Sequence, residues 1–365
     1  MKLFWYLLFA GSLFTIGCRK ADVQAPPTTN TTTASHQDLL KDSVYLYTKE
    51  TYLWQDVIPS YTQFNPRQYT GSTDEETAQN VMNAIKKLQP LDRFSFVASR
   101  AVSDGLQTGE SQDYGFFIKA AYVDKVQPND SAYWFVSYVY NGSTAAAAGA
   151  QRGWILDKIN GTTLHYDQPS VDILNNTFFG NTTTASFSFK KPDGSVLTTN
   201  LAKTSFTANS VLYKDVIASG GKKVGYLVFN QFFGGPSRNE LGQAFTYFQN
   251  QGINELVVDL RYNRGGSTET QDTLANLIAP LAANSKKMYQ YIFNTTLQNN
   301  QHQLIRSKLG FGDFFSAAAN TVNFHKAGSL DLSRVFFIVT GSSASASELL
   351  INNLKPYMDV KLIGD

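Results

Sequence analysis

Cysteine is almost missing from this sequence: Cys18 is the only one in 365 residues. A single thiol excludes a disulfide within the folded part and a thiolate-ligated metal site. Charge is also sparse, with 16% Asp, Glu, Lys and Arg and a formal net charge of +2. No dense Lys/Arg stripe is present, so the electrostatic footprint of a nucleic-acid-binding protein is lacking. Neither G-x-x-x-x-G-K-[ST] nor G-x-G-x-x-G occurs, which leaves a nucleotide reading without a motif, and no G-x-S-x-G elbow occurs either. No clear carboxylate pair supports glycan hydrolysis. The reading therefore carries no cofactor, no metal and no nucleic acid.

What is present begins at the N-terminus. Met1-Lys2 is a short basic start, Leu3 to Gly17 is apolar or small, and Cys18 follows directly. The run falls short of the ~20 residues that a spanning helix needs and reads as a signal peptide over residues 1–17. Gly17-Cys18 resembles a bacterial lipoprotein signal, although Thr15 and Ile16 are not the usual residues there. That resemblance implies lipidation of Cys18 and anchoring in the envelope of a Gram-negative bacterium, facing the periplasm. Residues 18–36, with two prolines and many threonines, bury too little surface to offset ordering entropy and are expected to be a flexible tether. Folding is expected to begin near Gln37.

The remaining length, with 42% hydrophobic residues, 26 Phe and 19 Tyr, suffices for two or three packed domains. Residues 37–103 are expected to be helical. Leu39, Leu40, Val44 and Tyr47 recur at helical spacing, as do Ala78, Val81, Met82, Ile85 and Leu88 behind an acidic first turn. Residues 104–205 alternate as short strands between Gly/Asn/Asp turns. Within them, "GSTAAAAGAQRGWILDKING" runs from a small-residue helix through a Gly turn and a strand to an Asn-Gly turn. This order resembles part of a PDZ domain, with Thr144 and Trp154 departing from the usual proline and aspartate. By that resemblance Tyr114-Gly115-Phe116-Phe117 is the loop that captures a peptide's C-terminal carboxylate. From about residue 206 strands and helices alternate, which implies a parallel-rich α/β layer structure.

Two stretches there carry chemistry. "ELVVDLRYNRGGS" is an apolar strand followed by Asp259, Arg261, Asn263 and the pair Gly265-Gly266. Paired glycines at a strand end let backbone N–H groups face outward as an anion hole. "VFFIVTGSSASASELL" places four serines where a buried strand turns into a helix, beside unpaired helical N–H groups. Ser345-x-x-Glu348 is a capping box, so Ser345 reads equally as a cap and as a nucleophile. None of His36, His165, His302 and His325 lies in a triad-like motif. A desolvated lysine is the other way to activate serine.

Together these stretches resemble the C-terminal processing peptidases, also called tail-specific proteases, which are serine-lysine endopeptidases. The resemblance implies a multi-domain α+β protein: a helical region, a PDZ domain and an α/β peptidase core of the ClpP/crotonase-like type over residues 206–365. It makes Ser345 the nucleophile, and Ala346 N–H with a glycine of the Gly265-Gly266 pair the oxyanion hole. Its substrates would be proteins or peptides with free C-termini. The family's base is a lysine in a Gly-Lys turn beyond the strand that ends here at Asp365. Lys355 and Lys361 precede that turn. The expectation is a core truncated before its base and inert as it stands, with a non-catalytic binding lipoprotein on the same fold as the alternative.

Overall fold

The computed structural model describes residues 34–123 and 132–364; the leader, Cys18 and most of the tether lie outside them. Three helices come first, α1 (His36–Thr51), α2 (Tyr61–Phe64) and α3 (Asp74–Lys86), followed by α4 (Arg100–Thr108). Next come β1 (Glu110–Asp113), β2 (Phe116–Tyr122), β3 (Ala132–Val139), α5 (Thr144–Ala147), β4 (Ile155–Ile159), β5 (Thr162–Thr163) and α6 (Gln168–Phe178). β6 (Thr184–Lys190), β7 (Val196–Ala202), β8 (Thr204–Thr207), β9 (Val211–Ser219) and β10 (Lys222–Phe229) lead into α7 (Gly235–Gln251), β11 (Glu255–Asp259) and α8 (Thr268–Ile278). The chain closes with β12 (Lys287–Gln290), α9 (Thr295–Gln298), α10 (Leu304–Leu309), β13 (Thr321–Asn323), β14 (Arg334–Val339), α11 (Ala346–Leu354) and β15 (Asp359–Gly364).

Two compact units result. Among the described residues, one joins residues 34–103 to Ser285–Phe324, and the other joins Asp104–Asn284 to the stretch from His325 onward. The expectation of a core running unbroken from 206 to the chain end is thereby corrected, because residues 285–324 leave it. In the first unit, Ser35 caps α1 and Thr73 caps α3, each side chain accepting an N–H of the first turn. His36 therefore opens a helix, where it pairs with Asp74 at 2.8 Å, and is not part of the tether. Tyr45, Ile58, Phe64, Val81 and Ile85 form the core. The distant insertion is fixed by Glu50, whose carboxylate accepts Leu304 N–H and Ile305 N–H at 2.8 Å and so caps α10. Asn294 adds hydrogen bonds to the carbonyls of Glu50 and Tyr52.

The second unit contains two main sheets. The first runs β2-β3-β4-β6-β7, all antiparallel, with β5 pairing with β4. Its core is aromatic, built on Tyr114, Phe116, Phe187 and Phe189. The small-residue helix is the short α5, capped by Ser143, and the Asn160-Gly161 turn has φ of 49° and 82°. The other sheet runs β15-β14-β11-β10-β9. β10, β11, β14 and β15 are mutually parallel, and β9 is antiparallel to β10. Inward residues such as Leu227, Phe229, Leu256, Val258 and Phe337 are fully buried, with Leu241, Phe245, Leu274 and Leu350 from the helices. Because β11 and β14 are parallel neighbours, the segments that follow Asp259 and Val339 emerge side by side. In open α/β sheets this carboxyl edge is where sites form.

Candidate active site

The loop after β11 is tied at its base by Asp259, whose side chain is fully buried. Tyr226 OH donates to it at 2.8 Å, and Arg261 Nε donates at 2.9 Å. Burial pushes the Asp259 carboxyl up, but the hydrogen bonds from Arg261 and Tyr226 outweigh it and hold the group below the usual carboxylate range. Neither Asp259 nor Arg261 reaches the loop tip as a reactive group; they anchor it.

Asn263, also buried, is the hub. Its Nδ2 donates to Phe229 O at 3.0 Å, and its Oδ1 accepts Gly265 N–H at 2.8 Å. Its carbonyl accepts Ala344 N–H at 3.3 Å and Ser347 Oγ–H at 3.2 Å. Gly265 and Gly266 have φ of 101° and 135°, conformations that L side chains rarely adopt. A Cβ on Gly265 would lie 2.6 Å from Ser345 Cβ and 2.9 Å from Ala346 N. A Cβ on Gly266 would meet Phe232 O at 2.2 Å. The two motifs are therefore in direct contact, and only glycine permits it.

The serine corner is equally determined. Ser343 Oγ accepts Thr340 N–H at 3.1 Å and donates to Leu260 O at 2.7 Å. Thr340 Oγ1 donates to Arg261 O at 3.0 Å. Ser347 is buried, whereas Ser345 is exposed. Ser345 opens α11 as the first member of a capping box, with Glu348 Oε2 accepting its N–H at 2.9 Å. Its backbone is not that of an ordinary cap: φ is 56° and ψ is −116°, where Thr73 and Asp167 are extended. A non-glycine residue held in this region stores strain and marks a sharp strand-to-helix elbow. Of the nearby donors, Gly265 N–H is taken by Asn263, so of the glycine pair only Gly266 N–H has no protein acceptor among the described residues. Ala346 N–H likewise has none. An exposed hydroxyl beside two unpaired N–H groups is the arrangement that acyl transfer needs.

Nothing described supplies a base to that hydroxyl. Lys355 is exposed at the end of α11, and Lys361 pairs with Asp359 at 3.0 Å on an exposed edge. His165 lies in the antiparallel domain, His325 is exposed, and His302 is fully buried with its ring against Phe315. Lys326 is the ammonium whose burial pushes it down, to about 8. It donates to Leu277 O at 2.8 Å, at the far end of α8 from the glycine loop. An eleven-residue helix spans about 16 Å, so Lys326 is out of reach.

The expected peptide loop is less open than its sequence implies. Tyr114 and Phe116 are buried in the core, and only Phe117 is exposed, stacked on Tyr138. Gly115 N–H already donates to Asp113 Oδ1 at 2.5 Å. That carboxylate would repel another placed at the same N–H. β2 is nevertheless an edge strand of its sheet among the described residues.

The fold and corner define a parallel α/β core with a serine elbow packed against a glycine loop. Residues 223–365 match the family described as peptidase family S41, which includes the C-terminal processing peptidases. An S41-protease structure from Bacteroides fragilis NCTC 9343 is similar in fold, at 24% identity and a TM-score of 0.59, over 88% of this chain and 77% of that one. A photosystem II D1 C-terminal processing protease aligns over 89% of this chain and 79% of its own, at 16% identity and a TM-score of 0.42. No curated protein matches the chain.

Proposed function

We propose that the protein is an exported serine endopeptidase that engages polypeptide tails and cleaves them with Ser345 as nucleophile. The observation that supports this most is Ser345 itself, exposed, at φ of 56° and against Gly265. Gly266 N–H and Ala346 N–H are the donors that would stabilise the oxyanion. The proton acceptor is a lysine supplied outside the described residues, as the family resemblance implies, since an unactivated hydroxyl is a weak nucleophile. Lipidation at Cys18 would hold the enzyme at the envelope membrane.

Tail recognition is assigned to the PDZ-like sheet, with the peptide adding as a strand to β2 and packing on Phe117. Asp113 weakens carboxylate capture, so strand addition supplies most of the affinity. Peptides with apolar C-termini should bind this protein, and Asp113→Asn should raise the preference for free-acid over amidated peptides. An unchanged preference would remove Gly115 N–H from the site.

The nucleophile is tested in the full-length gene product. Ser345→Ala should abolish cleavage with folding and peptide binding intact. Ser343→Ala, which loses only hydrogen bonds inside the corner, should retain substantial turnover. Cleavage by Ser345→Ala at the wild-type rate would defeat the assignment, and peptide binding without any Ser345-dependent cleavage would favour a binding protein on the same fold.

A further inference from the structure

The helical unit presents a surface that neither its packing nor the proposed chemistry uses. Between α3 and α4, Leu91, Phe94 and Phe96 are 69%, 71% and 66% exposed. Residues of this kind are ordinarily buried, and here the loop holds them outward. Asp92 Oδ1 accepts Phe94 N–H at 3.1 Å and Ser95 N–H at 2.9 Å, and its Oδ2 accepts Tyr52 OH at 2.8 Å. Val97 N–H donates to Gln79 Oε1 at 2.8 Å. The loop is thus pinned to the end of α1 at one side and to α3 at the other.

Three cations flank the apolar tips along the chain, Lys86 and Lys87 before Leu91 and Arg93 between Leu91 and Phe94. Lys86 Nζ donates to Arg93 O at 3.4 Å, which places the two side by side, and Lys87 and Arg93 are exposed. The one acid within the loop, Asp92, is occupied by the hydrogen bonds just described. A groove of about 650 Å³ lies beside the loop, lined by Tyr69, Asn80, Asn83, Lys86, Lys87 and Asp92. Lys86, Lys87 and the Asn80 and Asn83 amides can donate to a phosphate headgroup there, while the Asp92 carboxylate is turned to hydrogen bonds within its own loop and with Tyr52.

We propose that this face docks on an anionic phospholipid bilayer. Leu91, Phe94 and Phe96 enter the boundary between headgroups and acyl chains, and Lys86, Lys87 and Arg93 meet the lipid phosphates. Apolar tips with cations close by in the chain let a protein surface use both attractions of a membrane interface. The inference goes beyond the peptidase reading and takes from it only the nearness of a membrane; its test needs neither lipidation nor catalysis.

The experiment uses the chain from residue 19 onward, which keeps every described element but removes the leader and Cys18. Its partitioning is measured by flotation with phosphatidylcholine vesicles, with and without phosphatidylglycerol. Binding should require phosphatidylglycerol, fall with added salt as surface charges are screened, and drop on the order of tenfold or more in Phe94→Ser/Phe96→Ser, which lacks both aromatic anchors. Lys86→Glu/Lys87→Glu should lose it as well, with the melting transition of both variants unchanged. Failure of the wild-type chain to float with either vesicle would overturn the proposal, as would variants that float like wild type. So would a concentration-dependent dimer that dissociates in Phe94→Ser/Phe96→Ser, since a second copy would then cover the face. Ser345→Ala should float normally, so loss of the peptidase reading and loss of this one are separable.

Discussion

Replacing Ser345 by glycine should make this chain more stable, although glycine at a helix N-terminus ordinarily does the opposite. Ser345 sits at φ 56°, ψ −116°, a conformation that costs a residue with a Cβ on the order of 1–3 kcal/mol. Glycine removes that cost. It forfeits about 0.5–1 kcal/mol through the greater freedom of its unfolded state and a few tenths through the lost cap. At the middle of each range the balance is a stabilisation of about 1 kcal/mol, worth about 2–4 °C per kcal/mol in a unit of this size. Ser345→Ala keeps the Cβ and loses the hydroxyl, so it should be less stable than wild type by about 0.5–2 kcal/mol. The assay is calorimetry of the 365-residue chain, which requires no catalytic activity. Ser60 provides the control, because it also begins a capping box but has φ −60° and ψ 158°, so Ser60→Gly should lower the transition of its own unit. If Ser345→Gly is destabilised like Ser60→Gly, the corner is an ordinary cap and the strained-elbow argument is wrong.

Gly265→Ala should disrupt the same corner from the other side. Its Cβ would lie 2.6 Å from Ser345 Cβ at φ 101°, so a loss on the order of 2 kcal/mol or more is expected from strain and displacement together; a melting curve that overlays wild type would refute the contact. Lys326 offers a pH test. Burial holds it near 8 in the folded chain, against about 10.4 unfolded, so between these values the unfolded chain binds the extra proton and folding stability rises with pH. The denaturation free energy of wild type relative to Lys326→Met should therefore increase from pH 8 to pH 10, and a flat difference would mean that Lys326 is solvated.

Both motifs of the corner were legible because each is local. A run of large apolar residues followed by Gly-Gly or by small hydroxyl residues reads directly as a strand and the turn at its end. What could not be read was the conformation of Ser345. Ser-x-x-Glu normally means an extended cap, whereas here the corner is packed against Gly265 and hydrogen-bonded to Asn263, some eighty residues earlier in the chain. The transfer of residues 285–324 to the helical unit was hidden for a similar reason. α9 and α10 have four and six residues, too few for a hydrophobic period, and their position depends on Glu50 far upstream. α6 left a readable signal, Asp167 as cap and a proline in the first turn, obscured by the strand-rich stretch around it. At Tyr114–Phe117 the residue types suited a carboxylate loop, but the neighbouring Asp113 decided where the Gly115 N–H points.

The hub of the site shows why its residue is asparagine. The position must accept from Gly265 N–H and donate to Phe229 O at once. Aspartate could do only the first at neutral pH, and it would place a negative charge beside the donors of an oxyanion; serine could not reach both partners. The backbone of the same residue takes Ala344 N–H and the Ser347 hydroxyl, so one buried amide fixes the end of β10, the glycine loop and the serine corner relative to one another. Each of those bonds is made before any substrate arrives. The free N–H groups of Gly266 and Ala346 are consequently held by rigid main chain and not by mobile side chains. Charge that develops on a substrate oxygen there would be met without reorganisation, which is the condition under which a hydrogen-bond donor lowers a barrier.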